Sequence, residues 1–353
     1  MDTPDTPFGG KVIVLAGDFR QCLPVVPGAS RAEITKICIN QSTLWQHFQI
    51  LSLSVNMRIR NVGAAPELAD FDDWTISIGD GSAYNVSGHV RIPDDHYFKI
   101  NPNNIENNKA EEKSMNDFID LIFPNMATNF SSRNWLKGRC ILAPTNKEVD
   151  TLNDLMEARV PGNAIFLSSS DELQEYNNVM RFTTDYLNTL TPNGFPRHFL
   201  KLKPGMPLML LRNISPKEGL CNGTRLIFRE CINNKLLKCE LMEDGKEVFI
   251  PRITLHSDNT NSPFEWSRRQ FPIRISFAMT INKSQGQTLD MVGIWLRLPA
   301  FNHGQFYVAI SRTGDPSTLK ISIMDRAGVP EGHTANVVFY EVLIPPPQNN
   351  AIQ

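Results

Sequence analysis

Two short, continuous apolar runs, each cut off by polar residues, constrain this 353-residue chain more than any other feature. Lys11-Val12-Ile13-Val14-Leu15-Ala16 ends in Gly17-Asp18, and Gly138-Arg139-Cys140-Ile141-Leu142-Ala143 ends in Pro144-Thr145-Asn146. An apolar run without polar alternation reads as a strand buried on both faces, the condition of a parallel sheet. Ligands of such sheets gather beyond the carboxyl ends of strands, which is where Asp18, Arg20 and Gln21 fall. After the second run, Val149, Leu152, Leu155 and Met156 keep helical spacing. Strand, polar strand end and helix in this order predict an α/β fold.

Residues 102–116 are rich in Asn, Glu and Lys and nearly free of apolar residues, so an exposed loop is expected there. From Pro204 the texture changes. Residues 206–211, 224–228, 236–242 and 247–250 are four short strand candidates, with Asn222-Gly223, Asn233-Asn234 and Asp244-Gly245 as turns between them. They predict a small antiparallel β-barrel inserted into the α/β chain. Residues 273–278 read as a further strand, 299–311 contain a helix and 319–324 a strand, while Pro345-Pro346-Pro347 opens a frayed tail.

Composition removes several function classes. Hydrophobic residues at 41% and charged residues at 20% fit a globular chain and exceed the apolar content of a disordered one. No run approaches the roughly 18 apolar residues of a membrane span. The opening Met1-Asp2-Thr3-Pro4-Asp5-Thr6-Pro7 has neither the basic end nor the apolar run of a signal peptide. None of the six cysteines forms a C-x-x-C pair, and the histidines form no H-E-x-x-H, so free thiols and no protein-ligated metal are expected. The net charge of −2 conceals a polarity: residues 1–194 balance to −8 and residues 195–353 to +6. A basic half can meet a polyanion or can be a solvated surface without a partner.

Three segments carry candidate chemistry. In Gly17-Asp18-Phe19-Arg20-Gln21 the glutamine can hydrogen-bond a phosphate oxygen or orient a water, and Asp18 can pair with a cation or cap the next turn. Thr280-Ile281-Asn282-Lys283-Ser284-Gln285-Gly286-Gln287-Thr288 has the hydroxyls, amides, lysine and glycine of an anion-binding loop, and also those of a capped polar loop. Gln305-Phe306-Tyr307-Val308-Ala309-Ile310-Ser311-Arg312 places Arg312 at a helix end, where a guanidinium serves a transferring phosphoryl group or the helix dipole. Arg58, in Asn56-Met57-Arg58, has the same two readings.

In order along the chain, these segments, Leu23-Pro24-Val25 and Ala143-Pro144-Thr145-Asn146 resemble successive motifs of superfamily-one helicases, most nearly the petite-integration-frequency DNA helicases. Leu208-Met209-Leu210-Leu211-Arg212-Asn213, the stretch from Gly219 to Leu226, and Asn282 are similar to the branch carried by Helitron transposons. The resemblance implies ATP-dependent 5′-to-3′ unwinding of single-stranded or forked DNA, in repair, recombination, telomere maintenance or transposition. It implies ATP and Mg²⁺ as cofactors of an intact member, no membrane partner, and the nucleus, or else the mitochondrion, as compartment. The implied fold is two RecA-like cores, the first incomplete, with the small barrel inserted. The remnant of the first core and a connecting segment would occupy 1–125. The second core would occupy 126–203 and 259–344, the barrel 204–258 and the tail 345–353.

The resemblance also assigns roles. Gln21 would sense the γ-phosphate, with Asp18 beside it, Arg58 and Arg312 would be arginine fingers, and Gly286 would lie near the same phosphate. Thr145, Asn146, Lys283 and Ser284 would contact the backbone of single-stranded DNA. Two family elements are missing from the sequence: no G-x-x-x-x-G-K-[ST] string occurs, and no acidic pair on a strand precedes Gly17. Gly79-Asp80-Gly81-Ser82 is the nearest glycine cluster and reads as a surface turn. Without a phosphate cradle and metal site, arginine fingers act on no positioned substrate, so this chain alone is expected not to hydrolyse ATP at a useful rate.

Overall fold

The computed structural model describes residues 6–26, 28–51, 53, 66–84, 88–99, 108–173, 183–257, 264–324 and 326–343. The chain divides into two compact units, one of residues 1–104, 142–144 and 280–353, the other of residues 105–141 and 145–279.

The first unit is built on parallel pairing. Met291–Leu296 runs parallel to Leu319–Ile323, with Val292 opposite Leu319. Leu319–Ile323 in turn runs parallel to Tyr97–Lys99, with Ile321 opposite Tyr97. The carboxyl ends of Arg139–Ala143 and Ala278–Thr280 join this sheet beyond Met291–Leu296. Val292, Ile294, Trp295 and Ile321 are fully buried, as a continuous apolar strand requires. The helix Gln305–Ile310 is buried on every side, and Pro66–Asp80 brings Trp74 edge-on against its Phe306. A satellite cluster of Cys38, Phe339 and Val342, with Phe19, Leu23, Ile34 and Val337 packed on it, ties the C-terminal segment to the early loops. Asn40 Nδ2 donates to the Val342 carbonyl at 2.9 Å within it.

Two expectations fail in this unit. Residues 11–16 form no strand, and Val12 and Val14 are 93% and 85% exposed. Their β-branched composition suits a buried strand, but a strand needs a ladder partner, and among the described residues none lies alongside. Gly79-Asp80-Gly81-Ser82 is only half a turn. Gly79 and Asp80 end the helix Pro66–Asp80, and Gly81 follows in the left-handed region at φ +80°.

The second unit joins helices to antiparallel sheets. Where residues 102–116 were expected to be a loop, the helix Asn108–Ile122 begins, while 102–107 lie outside the described residues. It is held by Met115, Phe118, Ile119 and Ile122, buried at helical spacing. Asn146–Arg159 is the expected helix, burying Val149, Leu152 and Met156, with Leu155 partly covered.

All four expected strands after Pro204 form, as Pro207–Leu210, Arg225–Ile232, Leu236–Leu241 and Glu247–Pro251, each antiparallel to the next. Asn233 and Asn234, both at positive φ, make the turn at one hairpin end. A fifth strand, Ile273–Ile275, pairs with Pro207–Leu210, so the order runs open from Glu247–Pro251 to Ile273–Ile275. Their inward side chains build one core with Phe228, Leu237, Ile250 and Phe271 at its centre. Arg225 rivets this sheet to its surroundings. Its buried guanidinium donates to the carbonyls of Leu136, Lys137, Arg139 and Ser276 at 3.1–3.5 Å, and burial pushes its pKa down.

All six cysteines are free, and no described helix is long and apolar enough to cross a membrane.

Candidate functional site

In the first unit the loop holding Asp18 and Gln21 is gripped along its whole length. Asp18 Oδ1 accepts from the backbone N–H and the Nε of Arg20, each at 3.0 Å, and Asp18 Oδ2 accepts from the Tyr307 hydroxyl at 2.7 Å. The Arg20 guanidinium lies 5.4 Å from the centre of the Tyr307 ring. Burial alone would raise the Asp18 pKa. The donors from Tyr307 and Arg20 outweigh it and hold the carboxyl below its ordinary value. The same burial and the Asp18 carboxylate push the Tyr307 phenol well above its ordinary range.

Gln21 Oε1 accepts from Gln285 Nε2 at 3.0 Å, which ties the first candidate segment to the second. His303 Nδ1 accepts from the Phe339 N–H at 2.8 Å, so its proton sits on Nε2, which donates to the Phe19 carbonyl at 2.7 Å. Burial pushes the His303 pKa down, in keeping with this neutral ring. Gly304, at φ +69°, rests on the backbone of Arg20 and Gln21 so closely that a Cβ would collide with the Arg20 carbonyl oxygen. Gly79 makes room from the other side, since a Cβ there would lie 2.7 Å from the Tyr307 ring and 2.9 Å from Arg20 Cδ.

Arg312 is turned inward. Its Nε donates to the Val308 carbonyl at 2.7 Å, and Nη1 donates to the carbonyls of Ser284 and Gln287 at 3.3 and 3.2 Å. It therefore braces the loop of the second candidate segment. Gly286 sits in that loop at φ +82° with open space where a Cβ would point. Lys283 is exposed on the short 3₁₀ turn Ile281–Ser284. Ser284 is fully buried and donates its hydroxyl to the Ile281 carbonyl at 2.7 Å, so in this conformation it does not face solvent. Arg58 lies outside the described residues.

Thr145 and Asn146 belong to the second unit and open the helix Asn146–Arg159. Thr145 Oγ1 accepts from the Glu148 N–H, while Glu148 Oε2 accepts from the Thr145 hydroxyl at 2.8 Å and the Thr145 N–H at 3.2 Å, a reciprocal cap. Thr145→Ala is therefore expected to cost about 1 kcal/mol in thermal or urea unfolding, with Thr145→Ser close to wild type. Asn146 Oδ1 accepts from Arg274 Nη1 at 2.7 Å, and its Nδ2 donates to Asn193 Oδ1 at 3.1 Å. A cleft of about 380 Å³ begins there, lined by Asp150, Asp154, Arg197, Phe199 and Arg274 among others. Its charges are paired: Arg274 with Asp150 at 2.7 Å, and Arg197 with Asp154 at 2.6 Å.

Asp18, Gln21, Lys283, Ser284, Gly286 and Arg312 thus share one unit, and Thr145 and Asn146 lie in the other. Reading the sequence missed the grip of Tyr307, His303 and Gly304 on the loop. A polar-tipped aromatic within an otherwise apolar helix was the available signal for Tyr307.

Among the described residues no group of three His, Cys, Asp or Glu side chains could hold a metal ion. For a phosphate the unit offers the Gln21 amide and the Gly286 loop.

The parallel sheet of the first unit, with the Gln21 loop, the Gly286 loop and Arg312 gathered beside the helix Gln305–Ile310, is an α/β arrangement of the kind the resemblance implies. Residues 1–88 match the family described as PIF1-like helicase, and residues 185–230 match the 2B domain of the DNA helicase Pif1. The ATP-dependent DNA helicase PIF1 of Homo sapiens is 35% identical over 177 residues, covering 47% of this chain and 26% of that protein. PIF6 of Trypanosoma brucei brucei is 29% identical over 42% of this chain and 19% of its own length. PIF1 of Emericella nidulans is 24% identical over 96% of this chain and 45% of its own length. The chain thus spans from about a fifth to under half the length of these relatives.

The crystal structure of Pif1 from Candida albicans superposes with a TM-score of 0.60 at 22% identity, covering 96% of this chain and 68% of that one. Bacteroides Pif1 bound to single-stranded DNA superposes at 0.56 and 19% identity, covering 91% and 66%. Both share the fold of this chain. The chain is thus similar in sequence to PIF1-type DNA helicases over these segments and shares the fold of the two solved structures.

Proposed function

We propose that the chain forms the nucleotide-sensing and strand-gripping part of an ATP-dependent 5′-to-3′ DNA helicase acting in the nucleus. Gln21 reads the γ-phosphate, Asp18 holds its loop, and Gly286 lets the neighbouring backbone approach the same phosphate. Arg58 and Arg312 are the arginine fingers. To reach a phosphate, Arg312 exchanges the carbonyls of Ser284 and Gln287 for phosphate oxygens. Lys283, Asn146, Thr145 and Ser284 line the path of the DNA backbone, the last after release of its bond to Ile281. The observation that carries the reading is the bond of Gln21 to Gln285, which brings the Asp18–Gln21 loop and the Gly286 loop together in one unit.

The missing phosphate-binding string favours a second reading for the chain by itself, a single-stranded DNA binder that uses no nucleotide. A titration of a fluorescent oligothymidylate at rising salt, run beside an ATP turnover assay, tests both. Binding is expected to weaken steeply with salt, and Lys283→Ala to reduce the salt slope by about one. DNA-stimulated ATP turnover abolished by Arg312→Ala would remove the second reading. Absence of binding even at low salt would overturn both.

A further inference from the structure

We infer that Tyr307 is a positioning residue for Gln21, setting the register of the Gln21 loop on the helix Gln305–Ile310 through Asp18, an inference that rests on the nucleotide-sensing reading of Gln21. The Tyr307 hydroxyl bonds neither Gln21 nor its partner Gln285. It holds Asp18 Oδ2 at 2.7 Å, and Asp18 Oδ1 fixes both the backbone N–H and the Nε of Arg20, the residue before Gln21. The turn is closed by the Gln21 N–H donating to the Asp18 carbonyl at 3.1 Å. His303 and Gly304, one helical turn before Tyr307, contact the same loop at Phe19, Arg20 and Gln21. Three points on one short helical segment therefore meet four consecutive loop residues. Backbone packing at Gly304 allows the loop to lie there, while the hydroxyl of Tyr307 supplies the directional, charge-assisted bond that selects one register.

The helix that carries Tyr307 runs straight into Arg312, whose guanidinium braces the loop of Gln285. The Gln21–Gln285 bond is thus the closure of a ring: loop, Tyr307, helix, Arg312 and second loop. Moving Arg312 toward a phosphate loosens one side of the ring, and Tyr307 keeps the other side in place. Gln21 and Arg312 would then respond to the same ligand together rather than separately.

Tyr307→Phe tests this, because it keeps the ring against Gly79 and Arg20 and removes only the hydroxyl. Hydrogen exchange of the full chain should accelerate about tenfold at residues 18–21, the effect of losing one charge-assisted bond, with protection of the sheet strands unchanged. The side-chain NH₂ resonance of Gln285 should move toward its solvent position, although no hydrogen bond joins it to Tyr307. Asp18→Ala, which also removes the two Arg20 bonds, should accelerate exchange at least as much, and adding Tyr307→Phe to it should change little further. Unchanged exchange and an unmoved Gln285 resonance would overturn the inference, as would acceleration spread equally over the whole unit. Affinity for ADP–aluminium fluoride should fall in Tyr307→Phe while affinity for ADP stays level. A wild-type chain that binds neither nucleotide would sink the nucleotide-sensing reading and leave the exchange result to decide the positioning role.

Discussion

Arg268→Met should destabilise the second unit by about 3–5 kcal/mol, the cost of removing one partner of a buried ion pair. The side chains of Arg268 and Asp171 are both fully buried and meet through two bonds, Nε to Oδ1 at 2.9 Å and Nη2 to Oδ2 at 2.6 Å. The same guanidinium donates to the carbonyls of Leu187, Leu190 and Pro196 at 2.8–3.0 Å. Its loss therefore strands a buried carboxylate and three carbonyls at once. Asp171 also accepts from the Ser169 hydroxyl at 2.6 Å, so Asp171→Asn, which keeps an acceptor and removes the charge, should cost less. The Trp266 ring lies 5.0 Å from the guanidinium and is fully buried, which makes its fluorescence the natural probe of a urea titration. A midpoint for Arg268→Met equal to that of the wild type would refute the argument.

The pair also sets a pH dependence. Burial alone would raise the Asp171 pKa, but the Arg268 and Ser169 donors and the Arg268 charge hold it below the ordinary value. A depressed carboxyl binds its proton more tightly in the unfolded chain than in the folded one. Its stabilisation is therefore complete above the unfolded pKa of about 4 and is lost as pH falls through the folded value. Asp171→Asn should flatten this acid limb of the stability curve while lowering the plateau at neutral pH.

How much of this was legible in advance depended on how local each signal was. The hairpins after Pro204 were read correctly because a turn such as Asn233-Asn234 announces itself within a few residues, and the apolar alternation of Leu236–Leu241 follows at once. The helix Asn108–Ile122 does not announce itself, because Ala110 is the one apolar residue of its first two turns. The buried residues Met115, Phe118, Ile119 and Ile122 fall at or beyond the end of the polar stretch 102–116. Residues 11–16 show the opposite failure. Their composition records a preference for sheet, but a ladder is completed by residues distant in sequence, which no local pattern reveals. The site divides in the same way. Gln21, Gly286 and Arg312 stand in polar segments that draw attention by residue type. Their mutual bonding, and the inward turn of Arg312 and Ser284, depend on packing between segments more than 250 residues apart in the case of Gln21 and Gln285.

Gly304→Ala should be the most damaging small substitution in the first unit. Two effects coincide there. The residue lies at φ +69°, where a side chain costs about 1–3 kcal/mol in backbone strain. The added Cβ would also collide with the Arg20 carbonyl oxygen and lie 2.6 and 2.8 Å from the Gln21 carbonyl carbon and oxygen. These are backbone atoms, so no side-chain rotation relieves the contact, and the loop must leave the helix. With it would go the His303 bond to Phe19, the Tyr307 bond to Asp18 and the Gln21 bond to Gln285. A total of about 3 kcal/mol or more is expected, with loss of exchange protection through residues 18–21. Gly286→Ala is the matched control. Its φ of +82° carries the same kind of strain, but nothing lies within 4 Å of its Cβ, so only about 1 kcal/mol should be lost and the Gln21 loop should stay protected. Equal losses in the two variants would mean that strain alone governs Gly304, and that the loop is not held by close approach to the helix.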